Sequence, residues 1–190
     1  PVEREGVSEA AAATRTGLVL IDRTGRIERI EARFVGARVS RASDCLVVAE
    51  GGFSGLVAGI RDGAMRPHWE VPVDGDNIEI LAFGDVVAAV GIEYAERTAS
   101  FALLDARTGA VIARHAESSP LHNRGRLIDG RPFWVFGHRA PEAVVLLGLD
   151  GCRFERLEFT AALLPNGDLS ALVVSGRILV CGRDEVCAFS

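Results

Sequence analysis

Along the chain the apolar residues fall in short runs, not at helical spacing. GLVLI (17–21), CLVVA (45–49), GLVAGI (55–60), DVVAAVGI (85–92), FALL (101–104), PFWVF (132–136), AVVLLGL (143–149), LSALVV (169–174) and RILVC (177–181) are separated by Gly, Asp, Arg or Pro. Runs this short, rich in β-branched residues and bounded by turn formers, predict strands. Because the runs are continuous instead of alternating, many strands should be apolar on both faces, and both faces of their sheets should be covered.

Turn residues recur in step with the runs. RTG (23–25), RDG (61–63), RTG (107–109) and LDG (149–151) each follow an apolar run and precede a segment of alternating character: RIERIEA, AMRPHWEV, AVIARHA and CRFERLEF. Glycine suits the place where a tight hairpin needs positive φ. From Gly25 to Gly63 is 38 residues, to Gly109 another 46 and to Gly151 another 42. A period of that length holding several short strands is the signature of β-propeller blades.

Three full units of four strands follow from that period. GARVSRAS, DCLVVAEG, SGLVAGIRDG and AMRPHWEV form the first; IEILAFG, DVVAAVGIE, SFALLDARTG and AVIARHA the second; GRLIDG, RPFWVFGHR, EAVVLLGLDG and CRFERLEF the third. The ends supply part-units: a third and fourth strand in 17–31, and a first, second and third in 169–190. The expected fold is therefore all-β and propeller-like over 17–190, with about four four-stranded blades, either a partial propeller or an irregularly closed one. The count is 17 strands. A closed four-bladed ring, its last blade completed by the N-terminal strand, would need about 16. Residues 1–16 are expected to be a tail or partial strand, although the alanine run 10–13 after Ser8 and Glu9 also suits a short capped helix.

LLDARTGAV (103–111) resembles the hairpin of pyrroloquinoline-quinone-type, WD-like β-propeller repeats, and LIDRTGRI (20–27) is a second match; GIRDGAM and GLDGCRF are looser ones. The resemblance implies that a tryptophan a few residues beyond the Thr-Gly turn docks one blade on the next. Here those places hold Ile112–Arg114 and Glu28–Arg29, and Trp69 alone stands near such a position. The quinone and metal ligands of quinoprotein dehydrogenases map onto no residue of this chain, so no cofactor is expected and the resemblance carries no enzymatic assignment.

Composition narrows the chemistry. With 48% apolar and 25% charged residues the chain is globular in character, and a net charge of -5 supplies no positive field for nucleic acid. All 21 basic residues are arginine. Without lysine there is no Schiff base, no Walker-type phosphate loop and no serine–lysine pair. The chain starts at Pro1 and its one methionine is Met65, which suggests a domain excised from a larger protein. No apolar run approaches the roughly 20 residues that span a bilayer, so no membrane span and a cytoplasmic location are expected. Cys45, Cys152, Cys181 and Cys187 lack zinc-site spacing and are read as reduced thiols; a Cys181–Cys187 bridge would need the two to face each other across a hairpin of three or five residues.

Each candidate site has a structural explanation beside it. GGFSG (51–55) fails the G-x-S-x-G spacing around Ser54 and lies between two strands. DGDN (74–77) offers Asp74, Asp76 and Asn77 to calcium, but no acidic residue follows at the spacing a calcium loop needs. His68, His115, His122 and His138 are dispersed, so no catalytic residue and no metal site is assigned. The loop LHNRGR (121–126) is singled out: His122, Asn123, Arg124 and Arg126, followed by Arg131, could bind a carboxylate or phosphate of a partner by forked hydrogen bonds. The functional expectation is a non-enzymatic propeller module that recruits a protein partner within a larger protein. An incomplete propeller could also self-associate through its edge strands. The alternatives are a quinoprotein-like or hydrolytic propeller enzyme with its active residues in loops or outside this segment, and a carbohydrate-binding propeller.

Overall fold

A computed structural model describes residues 2–4, 7–14, 17–21, 27–30, 38–50, 55–61, 67–75, 77–93, 95–118, 126–128, 130–139, 142–160, 170–174, 177–181 and 186–189. Every regular element among them is a strand. The strands are β1 (Val2–Arg4), β2 (Val7–Thr14), β3 (Gly17–Ile21), β4 (Ile27–Ile30), β5 (Arg38–Ala42), β6 (Cys45–Ala49), β7 (Leu56–Arg61), β8 (Trp69–Pro72), β9 (Asn77–Phe83) and β10 (Val86–Glu93). They continue with β11 (Thr98–Asp105), β12 (Val111–Ser118), β13 (Arg126–Ile128), β14 (Arg131–Arg139), β15 (Glu142–Asp150), β16 (Arg153–Thr160), β17 (Ser170–Val174), β18 (Arg177–Cys181) and β19 (Val186–Phe189).

These strands form sheets strictly in chain order: β1 to β4, β5 to β8, β9 to β12 and β13 to β16 each make a four-stranded sheet, and β17 to β19 a three-stranded one. Each sheet is an up-and-down antiparallel meander, so the chain is all-β and propeller-like. One expectation changes. β3 and β4 do not stand as half of a split blade but pair with β1 and β2, and Ala10–Ala13 lie in register with Leu18–Ile21. Alanine favours helix in isolation, yet pairing with an apolar strand overrides that weak preference.

The same turn recurs at the same place. Ser43–Asp44 closes β5 on β6 and Gly84–Asp85 closes β9 on β10, each a two-residue connection between paired Cα positions. The third-to-fourth hairpins are less uniform than the sequence suggests. β11 and β12 are joined by residues 106–110, whereas Gly151–Cys152 alone joins β15 to β16, because Asp150 pairs directly with Arg153. The RTG at 23–25 and the Asp62–Gly63 pair lie outside the described residues.

Burial follows position within the sheet. In the second sheet β6 is wholly buried and β7 is buried at four of its six residues, while β5 is mostly half-buried and two of the four residues of β8 are exposed. Continuous apolar runs thus occupy middle strands, covered on both faces, and mixed sequences occupy the fourth strand at the edge.

The chain divides into two compact units, Pro1–Tyr94 with Ser100–His115, and Ala95–Ala99 with Ala116–Ser190. In the first, one core cluster joins Ala42, Cys45, Val47, Ala49 and Val57 of the second sheet to Ile78, Val87, Ala89, Ala102 and Leu104 of the third. Most of these side chains are small, and Trp69 is the one large ring among them. In the second unit Trp134 is buried and lies 6.4 Å from Phe154. There too the carboxylate of Glu117, only 5% exposed, accepts a 2.8 Å hydrogen bond from Arg156 Nε, whose Nη1 also bonds Glu158. Those bonds, Glu158's first, raise the already high pKa of Arg156 and hold the guanidinium charged.

The backbone register of β18 with β19 places the two cysteines of VCGRDEVC. Cys181 pairs with Val186 and Cys187 with Val180, so the two cysteines stand one position out of step. Cys45, buried, and Cys152, exposed, are not in a disulfide.

Candidate functional site

The best-defined exposed feature lies at the turn end of the second and third sheets. It is built on the hairpin that links β11 to β12. Asp105 Oδ1 accepts three hydrogen bonds, from the backbone N–H of Arg107 (3.0 Å) and of Thr108 (2.8 Å) and from the Thr108 hydroxyl (2.8 Å). Thr108 Oγ1 in turn accepts from Ala110 N at 3.2 Å. Backbone bonds from Asp105 N to Ala110 O and from Gly109 N to Asp105 O, both 2.9 Å, close the loop. An aspartate whose side chain bonds the backbone two and three residues on is a turn former, which is how the sequence reads it. The Thr108 hydroxyl, and after it the Thr108 and Arg107 backbone groups, hold the Asp105 carboxyl below the usual aspartate range.

This hairpin is locked to the preceding sheet by Trp69 at the start of β8. The indole Nε1–H donates to Ala106 O at 2.9 Å, and Nε2–H of the adjacent His68 donates to Arg107 O at 2.7 Å. The ring itself lies close against two glycines. A Cβ on Gly109 would come within 2.7 Å of Trp69 Cδ2, and one on Gly59 of β7 would overlap the indole at Cε2 and Nε1. Gly109 also has φ 72°, a left-handed conformation that costs an L-residue about 1–2 kcal/mol. Trp69 thus joins the second sheet to the Thr-Gly turn of the third, 40 residues later.

With the hairpin fixed, Arg107 projects among three turns. Its Nη2 donates to Ser43 Oγ at 3.2 Å; its Nε lies 3.7 Å from Asp44 Oδ1 and its Nη2 3.9 Å from Asp85 Oδ1. The side chains stay open to water, at 57% exposure for Arg107, 65% for Asp44 and 61% for Asp85. Ser43 holds φ 53°, an uncommon conformation for a residue with a side chain. The Ala106 N–H donates to Asp85 O at 2.9 Å, which ties the hairpin to the turn of its own sheet. The result is an exposed cation between two exposed carboxylates on a rigid base. No sequence motif marks it, because Asp44, Asp85 and Arg107 sit on three separate connections.

The residues singled out by sequence are placed differently. His122, Asn123 and Arg124 lie outside the described residues; Arg126 begins β13, in register with Phe133, and Arg131 is exposed at the start of β14. Ser54 and Asp76 also lie outside the described residues. Asp74 and Gly75 lead from β8 into β9 with their backbone laid against Gly91 of β10, so this part of DGDN serves close packing. Among the described residues no group of three or more His, Cys, Asp or Glu side chains could hold a metal ion. His115 packs its ring 6.0 Å from that of Phe101. Among the described residues no helix is long and apolar enough to cross a membrane.

No known protein family matches the sequence, and no curated protein does. Solved structures are similar. Hydrazine synthase of Kuenenia stuttgartiensis matches with a TM-score of 0.57 at 13% identity, over 92% of this chain and 60% of that one. The computationally designed Ika8 protein matches with a TM-score of 0.48 at 10% identity, over 99% of this chain and 69% of the other. The β-propeller domain of Cps50 (Swd1) from Myceliophteria thermophila matches with a TM-score of 0.32 at 12% identity, over 99% and 86%. The first likeness is one of fold alone, and this chain spans under two thirds of the hydrazine synthase chain. TM-scores below 0.5 do not establish a common fold.

Proposed function

We propose that this propeller-like chain is a non-enzymatic interaction module that recruits a protein partner within a larger protein, and that the partner is read by the turn end of the second and third sheets. One observation carries the reading: Asp44, Asp85 and Arg107 are exposed, mutually arranged by Trp69 and the Asp105 turn, and bound to one another only at 3.7 and 3.9 Å. Exposed ion pairs of that length are worth under about 1 kcal/mol. Arg107 can therefore exchange its internal partners for a carboxylate of an incoming chain, and release Asp44 and Asp85 to that chain's arginine or lysine. Loops on a rigid scaffold bind without any change in the scaffold. The loop residues His122, Asn123, Arg124 and Arg126 form a separate proposed contact, for an acidic group of a partner. A cytoplasmic, reducing setting, in which Cys45 and Cys152 remain thiols, belongs to the same proposal.

The test is crosslinked capture from a native extract by the immobilised chain, repeated with the triple charge reversal Asp44→Arg, Asp85→Arg, Arg107→Glu. Glu155→Arg on β16 serves as the control for non-specific charge effects. A protein captured by the wild type and the control but lost from the triple variant supports the proposal. Retention by a triple variant with unchanged circular dichroism refutes it.

A further inference from the structure

The fourth strand of each four-stranded sheet is an edge, and three of the four guard it with charge or proline. β4 carries Glu28 and Arg29, β8 carries Glu70 and Pro72, and β16 carries Arg153, Glu155, Arg156 and Glu158. Residues of these kinds keep foreign strands off the unpaired backbone. β12 begins differently: from Ala110 to Ala113 there is neither charge nor proline, and Arg114 follows. The same stretch is bare. Val111 is 43% exposed and Ile112 39%, the adjoining pair of exposed large apolar side chains among the described residues; Leu157, at 55%, stands between Arg156 and Glu158. Successive side chains point to opposite faces of a sheet. Exposure of both leaves this edge uncovered on both faces, which an added strand would cover and a ligand on one face would not. Arg114 beside them is exposed and, among the described residues, has no ion-pair partner.

We propose that Val111–His115 of β12 takes up an extended antiparallel segment of a separate partner protein, with two adjacent apolar residues opposite Val111 and Ile112 and an acidic residue opposite Arg114. In antiparallel register the acid precedes the apolar pair with one residue between. Backbone groups on the free side of β12 supply the hydrogen bonds, and the three side chains supply the selection. Charge complementarity sets this occupant apart from a second copy of the chain. In every antiparallel pairing of two β12 strands that covers Val111 and Ile112, Arg114 meets a residue of 109–115, none of which is acidic. The one acid of β12, Glu117, is buried and bound to Arg156. The inference does not depend on the turn cluster of Asp44, Asp85 and Arg107.

The probe is the fluorescein-labelled peptide STETVVTS, titrated into the full chain up to about 1 mM, with STRTVVTS as its charge-reversed counterpart. Saturable binding of STETVVTS is expected, weakened about tenfold or more by Arg114→Glu and restored when that variant meets STRTVVTS. Hydrogen exchange at 111–115 should slow in the complex. Three results would overturn the proposal: no saturable binding to the wild-type chain, binding that Arg114→Glu leaves unchanged, or protection at 111–115 that tracks dimer formation in sedimentation without peptide. The last would assign the edge to a second copy.

Discussion

Truncation of Trp69 tests the joint between the second and third sheets, and its coupling to Gly109 can be worked out from the contacts. Trp69→Ala removes a side chain only 8% exposed, together with its 2.9 Å bond to Ala106 O. Large-to-small changes of this kind cost about 3–5 kcal/mol. Gly109→Ala carries two costs of its own. A residue with a Cβ at φ 72° costs about 1–2 kcal/mol. Overlap with the indole, which also lies against Gly59, adds about 1–3 kcal/mol of overpacking. Gly151→Ala is the matched control, since its φ is 59° but nothing lies within 4 Å of the new Cβ. Urea denaturation followed by far-UV circular dichroism should show Gly109→Ala costing more than Gly151→Ala by that overpacking amount. In the Trp69→Ala background the cost of Gly109→Ala should fall to that of Gly151→Ala, a coupling of about 1–3 kcal/mol. Additive losses within about 0.5 kcal/mol would refute the indole–glycine contact.

Other outcomes follow from the same contacts. The folded pKa of Asp105 lies below its unfolded value, so its contribution is full above the ordinary aspartate range and lost as pH falls through the folded value; the gap in urea midpoint between wild type and Asp105→Asn should be constant near neutrality and close in acid. Arg156→Ala strips a charged donor from the buried Glu117 and should cost about 1–3 kcal/mol, reduced because Arg156 is 36% exposed, whereas Leu157→Ala beside it should cost little. With all four cysteines read as reduced thiols, all four should react with Ellman's reagent in denaturant without reductant; a count of two would show a bridge. Ser43→Gly relieves the left-handed φ while losing the Arg107 contact, and should leave the melting temperature unchanged or slightly raised.

Sequence pattern was informative wherever a strand is both short and continuous. CLVVA and DVVAAVGI, bounded by turn formers, admit little else, and the three central units emerge with their strands in the order read from the chain. Ala10–Ala13 were ambiguous because their strand character comes from the partner strand β3, not from their own preference. Asp105 and Gly109 were legible as turn residues because the turn chemistry is local. Trp69 stood out by its position, but its seat did not: nothing near Trp69 in sequence announces Gly109, and only the stacking of successive sheets joins them. The Asp44–Asp85–Arg107 cluster was invisible for the same reason. Each residue alone is an ordinary charged turn residue, and long-range geometry makes them a group.

A crystal structure of the chain tests the central claim most directly. The prediction is a succession of antiparallel meanders in chain order, β5 to β8, β9 to β12 and β13 to β16, each with its strands side by side as they occur in sequence and with the Trp69 ring seated on Gly109. Two stacked sheets that exchange strands across a sandwich, so that β7 or β11 pairs outside its own group of four, would contradict it.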